Sequence, residues 1–326
     1  MSHHQHGDTQ HGDTQHGHTE HGHTEHGNSQ RGHAQHSDVQ HSDVQRGHAQ
    51  HGHGAAGQAD VAAMAELIDL DAEVLHGYLS DVMAWVGELA AGQPRRRILD
   101  VGSGTGTGAL TLARRFEAAD VTAVDVSASM LGRLGDKARD LGVAGRVRTV
   151  EADLDGAWPD VGRVDLAWAS ASLHHMANPD RVLGDIFGAL NPGGLLVLAE
   201  LEGFPRFLPD DVELGRPGLE ARGRAALAEE LPYLGSDWGP RLRQAGFAIV
   251  GERHFAIELK PPLPAAAGRY AQACLRRLRS RLDARMDAED LAALDTLIDS
   301  DGPDGVLRRG DLTVWAERDV WVGSRP

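Results

Sequence analysis

The chain has 326 residues, 41% of them hydrophobic, which is enough for one large or two ordinary domains with a sizeable core. Its formal net charge of −16 argues against a broad surface for nucleic acid or for an anionic membrane, and no apolar run approaches the ~18 residues of a membrane span. The single cysteine, Cys274, excludes an internal disulfide and fits a cytoplasmic setting.

Residues 1–58 form a degenerate five-residue repeat. Gln-His-Gly-Asp-Thr occurs twice between Gln5 and Thr14, and fifteen of the nineteen histidines lie before residue 59. Large apolar side chains are nearly absent, so the segment cannot bury enough surface to offset its chain entropy and is expected to be disordered. Two roles remain open: a solubilising repeat expansion, or weak transition-metal binding through neutral imidazoles, densest at His16, His18, His21, His23 and His26. The spacing lacks the fixed ligand pairs of a structural zinc site, so such binding would be labile and would weaken below about pH 6 as imidazoles protonate.

From Asp71, apolar residues recur every three or four positions: Val74, Leu75, Tyr78, Leu79, Val82, Met83, Val86 and Leu89. That stripe predicts one helix of about five turns from Asp71 to Ala90, with a short helical turn before it at 64–68. Strands and helices then alternate. Strands are expected at 96–101, 121–125, 147–151 and 164–169, with helices at 106–117, 129–140 and 179–190. Asn191-Pro192-Gly193-Gly194 reads as a turn into a fifth strand at 195–199. Alternation of this kind implies a parallel sheet covered by helices on both faces. Beyond Glu202, Pro205, Pro209 and Pro217 mark irregular connections. A helix is expected to end at Gly246, followed by a sixth strand from Phe247, helices at 264–283 and 287–300, and a last strand at 320–322.

The segment from Arg97 to Gly108 carries the chemistry. An apolar strand ends in Asp100-Val101, glycines follow at 102, 104 and 106, and a helix opens at once. Such a turn lets a ligand approach the backbone and meet the free amides of the helix start. Gly104-x-Gly106-x-x-Ala109 also satisfies the dinucleotide pattern, but Asp100 would repel a pyrophosphate and would welcome a cationic amino group. Asp125 ends the second strand, where an acid can accept from ribose hydroxyls, and Asp153 follows the third strand by two residues. Three carboxylates at the carboxyl ends of three successive strands would line one crevice.

In order, Asp-Val-Gly-Ser-Gly-Thr-Gly (100–106), Val-Asp-Val-Ser-Ala-Ser-Met (124–130), Glu-Ala-Asp-Leu (151–154), Leu-His-His-Met (173–176) and Leu-Asn-Pro-Gly-Gly (190–194) resemble the class I S-adenosylmethionine-dependent methyltransferases. The likeness spans about 97–200, with a looser match to the closing strands of small-molecule members from Gly239. It implies an α/β, doubly wound, mostly parallel seven-stranded sheet with helical lid insertions. The domain would occupy 59–326: lid helices at about 62–91, a donor-binding core at about 95–200, and acceptor-side insertions with closing strands at about 201–326. It further implies that Asp100 and the backbone of Gly102, Ser103, Gly104 and Gly106 hold the methionine moiety, and that Asp125 holds the ribose. Val126 and Met130 would flank adenine, Asp153 and the Leu154 amide would address its edge, and Ala169 and Ser170 would close the donor pocket. His174 is the candidate general base for an acceptor that must lose a proton.

After the fourth strand stands Ala169-Ser170-Ala171-Ser172, not the Asn/Asp-Pro-Pro-aromatic signature of enzymes that methylate adenine in nucleic acid, so the expected acceptor is a small molecule. Trp238, Trp315, Trp321 and Arg318 are candidates for the acceptor wall, with Trp321 read first as core of the last strand, and Arg276, Arg277, Arg279, Arg281 and Arg285 read as solvated surface, a carboxylated substrate being the alternative. Two other readings stay open at this point: an NAD-dependent oxidoreductase, and a metal-handling or scaffold protein that keeps a donor-binding fold.

Overall fold

A computed structural model describes residues 55–230 and 232–326. All but the last four residues of the histidine-rich segment lie outside the described residues. Five strands run parallel: β1 (Arg97–Val101), β2 (Asp120–Asp125), β3 (Val147–Glu151), β4 (Val164–Ser170) and β5 (Leu190–Leu201). Two more, β6 (Ala248–Leu259) and β7 (Val314–Ser324), are antiparallel, and the sheet order is β3-β2-β1-β4-β5-β7-β6. The chain leaves β1 for β2 on one side and later returns to β4 on the other. The carboxyl ends of β1 and β4 therefore flank the point where the winding reverses, which is where open α/β sheets form their ligand crevice.

Alternate residues of the central strands feed two apolar layers. Ile98, Leu166 and Val197 pack with Val82, Val86, Leu112 and Leu134 on one face of the sheet. Leu99, Ala167 and Leu196 pack with Leu173, Val182, Ile186 and Leu242 on the other. Burial on both faces is why these strands read as continuous apolar runs. Helices α3 (Thr107–Arg115), α4 (Ala128–Asp140) and α5 (Pro179–Ala189) supply much of the two layers. Their starts are set locally. Ser127 caps α4 by accepting from Met130 N at 3.3 Å, and Asn178 caps α5 by accepting from Arg181 N at 3.1 Å, with Pro179 as the first helical residue.

A third apolar cluster belongs to the helices outside the sheet. It joins Leu70 and Val74 to Leu219, Tyr270, Leu275, Leu294 and Leu297. These side chains come from α1 (Ala55–Val74), α6 (Leu219–Ala225), α8 (Ala267–Arg279) and α9 (Ala288–Asp299). The remaining helices are α2 (His76–Ala90) and α7 (Gly239–Gln244).

Five expectations are revised. The single helix from Asp71 to Ala90 is two, broken at Leu75, where φ is −97° and ψ is 22°. The break has a packing cause: Leu70, Val74 and Leu75 serve the outer helical cluster, whereas Val82, Met83 and Val86 serve the sheet layer, and one straight helix cannot face both. Helix α1 begins at Ala55, inside the stretch assigned to the tail, because the repeat stops at Gly54 and an alanine-rich segment of high helix propensity follows. The segment 191–194 is a bulge within β5 rather than a turn before it: Val164 pairs with Leu190, while Leu166 pairs with Leu195. Strands β6 and β7 run 12 and 11 residues, well past the short apolar runs that suggested them, because each pairs along nearly its whole length with the other. Helix α6 lies in the proline-marked stretch that was expected to be irregular.

Candidate functional site

Beyond Val101 the chain enters left-handed conformation at Gly102 (φ 68°), Gly104 (φ 52°) and Gly106 (φ 90°). The amides of Gly102 and Ser103 both donate to Val124 O at 2.9 Å, which ties the turn to β2. Two of the glycines are required by packing as well as by φ. A Cβ on Gly102 would lie 2.6 Å from Ser172 Cβ, and one on Gly106 would lie 2.4 Å from Leu134 Cγ. Gly104 is different: only Ile68 Cδ1 comes near, at 3.4 Å, and the residue faces a cavity of about 280 Å³.

That cavity lies between the carboxyl edge of the sheet and helices α1, α6 and α8. Of the residues expected at the site, it brings together Asp100, Gly102, Ser103, Gly104, Ser170 and His174. Gly106, Asp125, Val126, Met130, Asp153, Leu154 and Ala169 lie outside its lining.

Asp100 is 2% exposed, and its Oδ2 is buried without a hydrogen-bond partner. Burial pushes its carboxyl up to about 7; the Ala109 N–H opposes that rise and the charge of Asp125 adds to it. A buried carboxylate with one idle oxygen facing a cavity is suited to a cationic ligand group.

The other two acids stand on the same sheet edge. Asp125 accepts from Gly104 N through Oδ2 at 2.8 Å and from Ser127 N through Oδ1 at 2.9 Å, so it organises the glycine turn as well as the start of α4. Its carbonyl accepts from Ala152 N at 3.0 Å, which links it to the end of β3. Asp153 is exposed and accepts from Asp155 N at 2.9 Å, and Val126 is also exposed. Met130 and Leu154 are buried, and the Leu154 carbonyl accepts from Arg181. Ala169 has no exposed surface, since it is paired with Val101 on one side and Leu198 on the other.

After β4 the chain turns sharply through Ala171, a non-glycine residue at φ 49° that also lines the cavity. Such a conformation costs roughly 1–2 kcal/mol and persists only where neighbours hold it. Here the Ala171 amide donates to Ala199 O at 2.8 Å, and Ser172 Oγ donates to Val101 O at 2.9 Å. Glu200 Oε1 accepts from the amides of Ser172 (3.1 Å) and Leu173 (2.8 Å). Its other oxygen, Oε2, lies 2.5 Å from His174 Nδ1, with both side chains only 2% exposed. His174 therefore presents its ring to the cavity on a carboxylate support, beside His175, whose ring centroid is 4.0 Å away. Glu200 is absent from the sequence-based set. The available signal was a lone carboxylate in the apolar strand Leu195–Leu201, since a charge there must be buried and hence bonded.

The outer wall carries a second polar group. Asp71 Oδ1 accepts from Tyr270 Oη at 2.5 Å and from Arg318 Nη2 at 3.0 Å. Burial works against the Arg318 charge, but Asp71, with Tyr270 and Tyr78, offsets it and keeps the guanidinium above its usual range. Burial raises the Tyr78 and Tyr270 phenols, so both stay neutral. Of the four acceptor-wall candidates only Arg318 lines the cavity. Trp238 and Trp321 are buried in a sheet layer, and Trp315 lies under the Arg206 guanidinium, 3.2 Å from its ring centroid. The arginine series is not uniform surface either, because Arg277 and Arg281 line the cavity. Arg276, Arg279 and Arg285 do face solvent-side carboxylates, pairing with Asp299, Asp295 and Glu230.

Among the described residues no group of three or more His, Cys, Asp or Glu side chains is placed to hold a metal ion, and no helix is long and apolar enough to cross a membrane.

Residues 98–194 match a family model described as a methyltransferase domain. A malonyl-[acyl-carrier protein] O-methyltransferase of Laribacter hongkongensis is 34% identical over 182 residues, which is 54% of this chain and 59% of that protein. The chain thus spans less than two thirds of that relative's length. A 27-O-demethylrifamycin SV methyltransferase of Amycolatopsis mediterranei is 30% identical over 222 residues, 64% of this chain and 79% of that protein. Among solved structures, a SAM-dependent methyltransferase from Thiobacillus denitrificans in complex with S-adenosyl-L-homocysteine superposes with a TM-score of 0.40 and 22% identity, covering 73% of this chain and 89% of the other.

Proposed function

This chain belongs to the class I S-adenosylmethionine-dependent methyltransferases, and from that premise we propose that it moves a methyl group from S-adenosylmethionine to a small-molecule nucleophile held in the cavity. The observation that carries the reading is Asp100. A buried carboxylate with an idle oxygen, set beside a left-handed glycine turn at the sheet's winding reversal, fits an amino acid ammonium and opposes a pyrophosphate.

The donor residues then divide by exposure. Asp100 and the backbone of Gly102, Ser103 and Gly104 hold the methionine end inside the cavity. Asp125, Val126 and Asp153 lie on the adjoining edge, where they take the ribose and adenine. Gly106, Met130, Leu154 and Ala169 contribute backbone or packing beneath that shelf, and Ser170 closes it toward the cavity. When bound, the sulfonium supplies an electrophilic methyl that needs no activation by the protein.

What remains for the chain is alignment, dryness and a proton path. The cavity wall is largely apolar, from Leu67, Ile68, Leu75, Leu79 and Leu227, so it excludes water and confines the acceptor against the turn. For an acceptor that must lose a proton, His174 takes it at Nε2. Glu200 keeps the proton of the neutral ring on Nδ1 and stabilises the imidazolium that forms. His174 is thus the base and Glu200 its positioning residue. The protein works in the cytoplasm. The histidines of residues 1–54 bind transition metals weakly; removing residues 1–54 is expected to abolish nickel uptake, and retained uptake ends that assignment.

Calorimetry with S-adenosylhomocysteine tests the main reading, followed by an acceptor screen with labelled donor. The wild-type chain is expected to bind S-adenosylhomocysteine and not NADH. Asp125→Ala is expected to weaken binding about tenfold or more, because ribose contacts and the support of Gly104 are lost together. Absence of binding to the wild type would overturn it.

A further inference from the structure

The cavity has a cationic end that the methyl-transfer reading does not use. On α8, Tyr270, Cys274 and Arg277 recur at helical spacing toward the cavity, with Arg281 just past the helix end; on α6, Glu220 and Arg224 do the same, with Leu227 just past its end. The two helices touch at Gly223, where a Cβ would lie 3.1 Å from Leu278 Cδ2 and 3.3 Å from Leu282 Cδ1. Arg224 and Arg277 are the sequence neighbours of that contact, and both line the part of the cavity wall that the two helices supply.

The other charges on the cavity wall are accounted for. Arg318 is matched by Asp71 at 3.0 Å, and Arg281 by Glu230 at 2.5 Å. Glu220 turns its oxygens to the amides of Phe207 and Leu208, at 3.0–3.2 Å. The Arg277 carbonyl accepts from Ser280 Oγ at 2.9 Å, but among the described residues its guanidinium has no hydrogen bond or ion pair. Arg224 Nη1 is buried with no partner. Burial lowers the pKa of both guanidinium groups; Arg281 adds to the effect at Arg277, whereas Glu220 offsets part of it at Arg224. Two cations with unspent donors on the wall of one cavity, in a chain of net charge −16, run against the protein's overall field. A half-buried guanidinium with idle donors is costly even where Glu220 or Asp60 offsets part of its charge, and a planar oxyanion satisfies it with paired charge-assisted hydrogen bonds.

We propose that the end of the cavity between α6 and α8 is a subsite for an anionic oxygen group of the acceptor, carboxylate or phosphate, held by Arg224 and Arg277. The proposal rests on the methyl-transfer reading for the word acceptor, while the subsite itself stands on the two arginines. It places the reacting atom of the acceptor near His174 and its anionic group at the opposite end, so the charge selects and orients the molecule without taking part in the transfer.

The test is calorimetry on the full chain, with and without saturating S-adenosylhomocysteine, using phenylacetate, phenyl phosphate and the neutral match phenylacetamide. One or both anions are expected to bind about tenfold or more tighter than the amide, and the tighter of the two identifies the group. Arg224→Gln and Arg277→Gln are each expected to reduce that preference severalfold, and Arg277→Lys to restore part of it. S-adenosylhomocysteine affinity is expected to be unchanged in all three. Equal binding of anions and amide to the wild type overturns the subsite, and that comparison needs no variant to fold. A preference that survives in the double variant Arg224→Gln/Arg277→Gln overturns it too. Failure of S-adenosylhomocysteine to bind, with the anion preference intact, counts against the methyl-transfer reading alone.

Discussion

Asp100→Asn is the substitution whose consequences can be worked furthest. The carboxyl rises from 3.8 to about 7 because it is buried. In the window between those values the folded protein holds a proton that the unfolded chain has released. Stability therefore falls as pH rises from about 4 to about 7, and levels off above. At 1.36 kcal/mol per unit, the loss approaches about 4 kcal/mol by pH 8. Asparagine has the same shape, can still accept from the Ala109 N–H, and does not ionise. The variant should match the wild type near pH 4 and exceed it in stability above pH 7 by up to about 4 kcal/mol. Urea unfolding at successive pH values reads the difference directly; it should climb by about 1.4 kcal/mol per pH unit between pH 5 and 7. The same variant should bind S-adenosylhomocysteine more weakly, because the anion facing the ammonium is gone. Wild-type binding near neutral pH should also release protons, as the incoming cation ionises Asp100. A stability difference that is flat with pH would mean that Asp100 is already ionised and solvated in the free protein. Unchanged donor affinity in Asp100→Asn would remove this residue from the site.

The proton path is tested at both members of the dyad. For an acceptor that loses a proton, His174→Ala should lower kcat about a hundredfold or more with little change in donor affinity. Glu200→Gln should lower kcat and move the acidic limb of the pH–rate profile, a shift that a merely structural role would not produce; near-full turnover in His174→Ala would end the base assignment. The glycine turn makes a sharper structural prediction. Gly106→Ala combines φ 90° with a Cβ 2.4 Å from Leu134 and should destabilise by about 2–4 kcal/mol in denaturant unfolding. Gly132→Ala, on the exposed face of α4 with nothing within 4 Å, should instead stabilise by up to about 1 kcal/mol.

Much of the glycine-turn end of the candidate site was legible in the sequence. Glycines at 102, 104 and 106 announce positive φ, apolar runs ending in acids announce strand ends, and the alternation of strands with helices leaves few topologies. Those signals are local, so short-range chemistry expresses them fully. The helical wall of the cavity was poorly legible because its residues acquire meaning through contacts distant in sequence. Arg276 and Arg277 are neighbours of one type, yet one pairs with Asp299 at the surface and the other lines the cavity, a distinction set by which face of α8 docks on α6. Glu200 looks like an interruption in an apolar strand until the turn after β4 folds over it and brings His174 to 2.5 Å.

Sequence alone thus determined the winding of the sheet, the glycine turn and the three acids along one edge, because periodicity and backbone preference are properties of short segments. Only the tertiary structure decided where α1 breaks, which oxygen of Asp100 is left idle, what supports His174 and which arginines face inward. Each of these depends on the packing of elements far apart in the chain, where burial and partner choice are settled together.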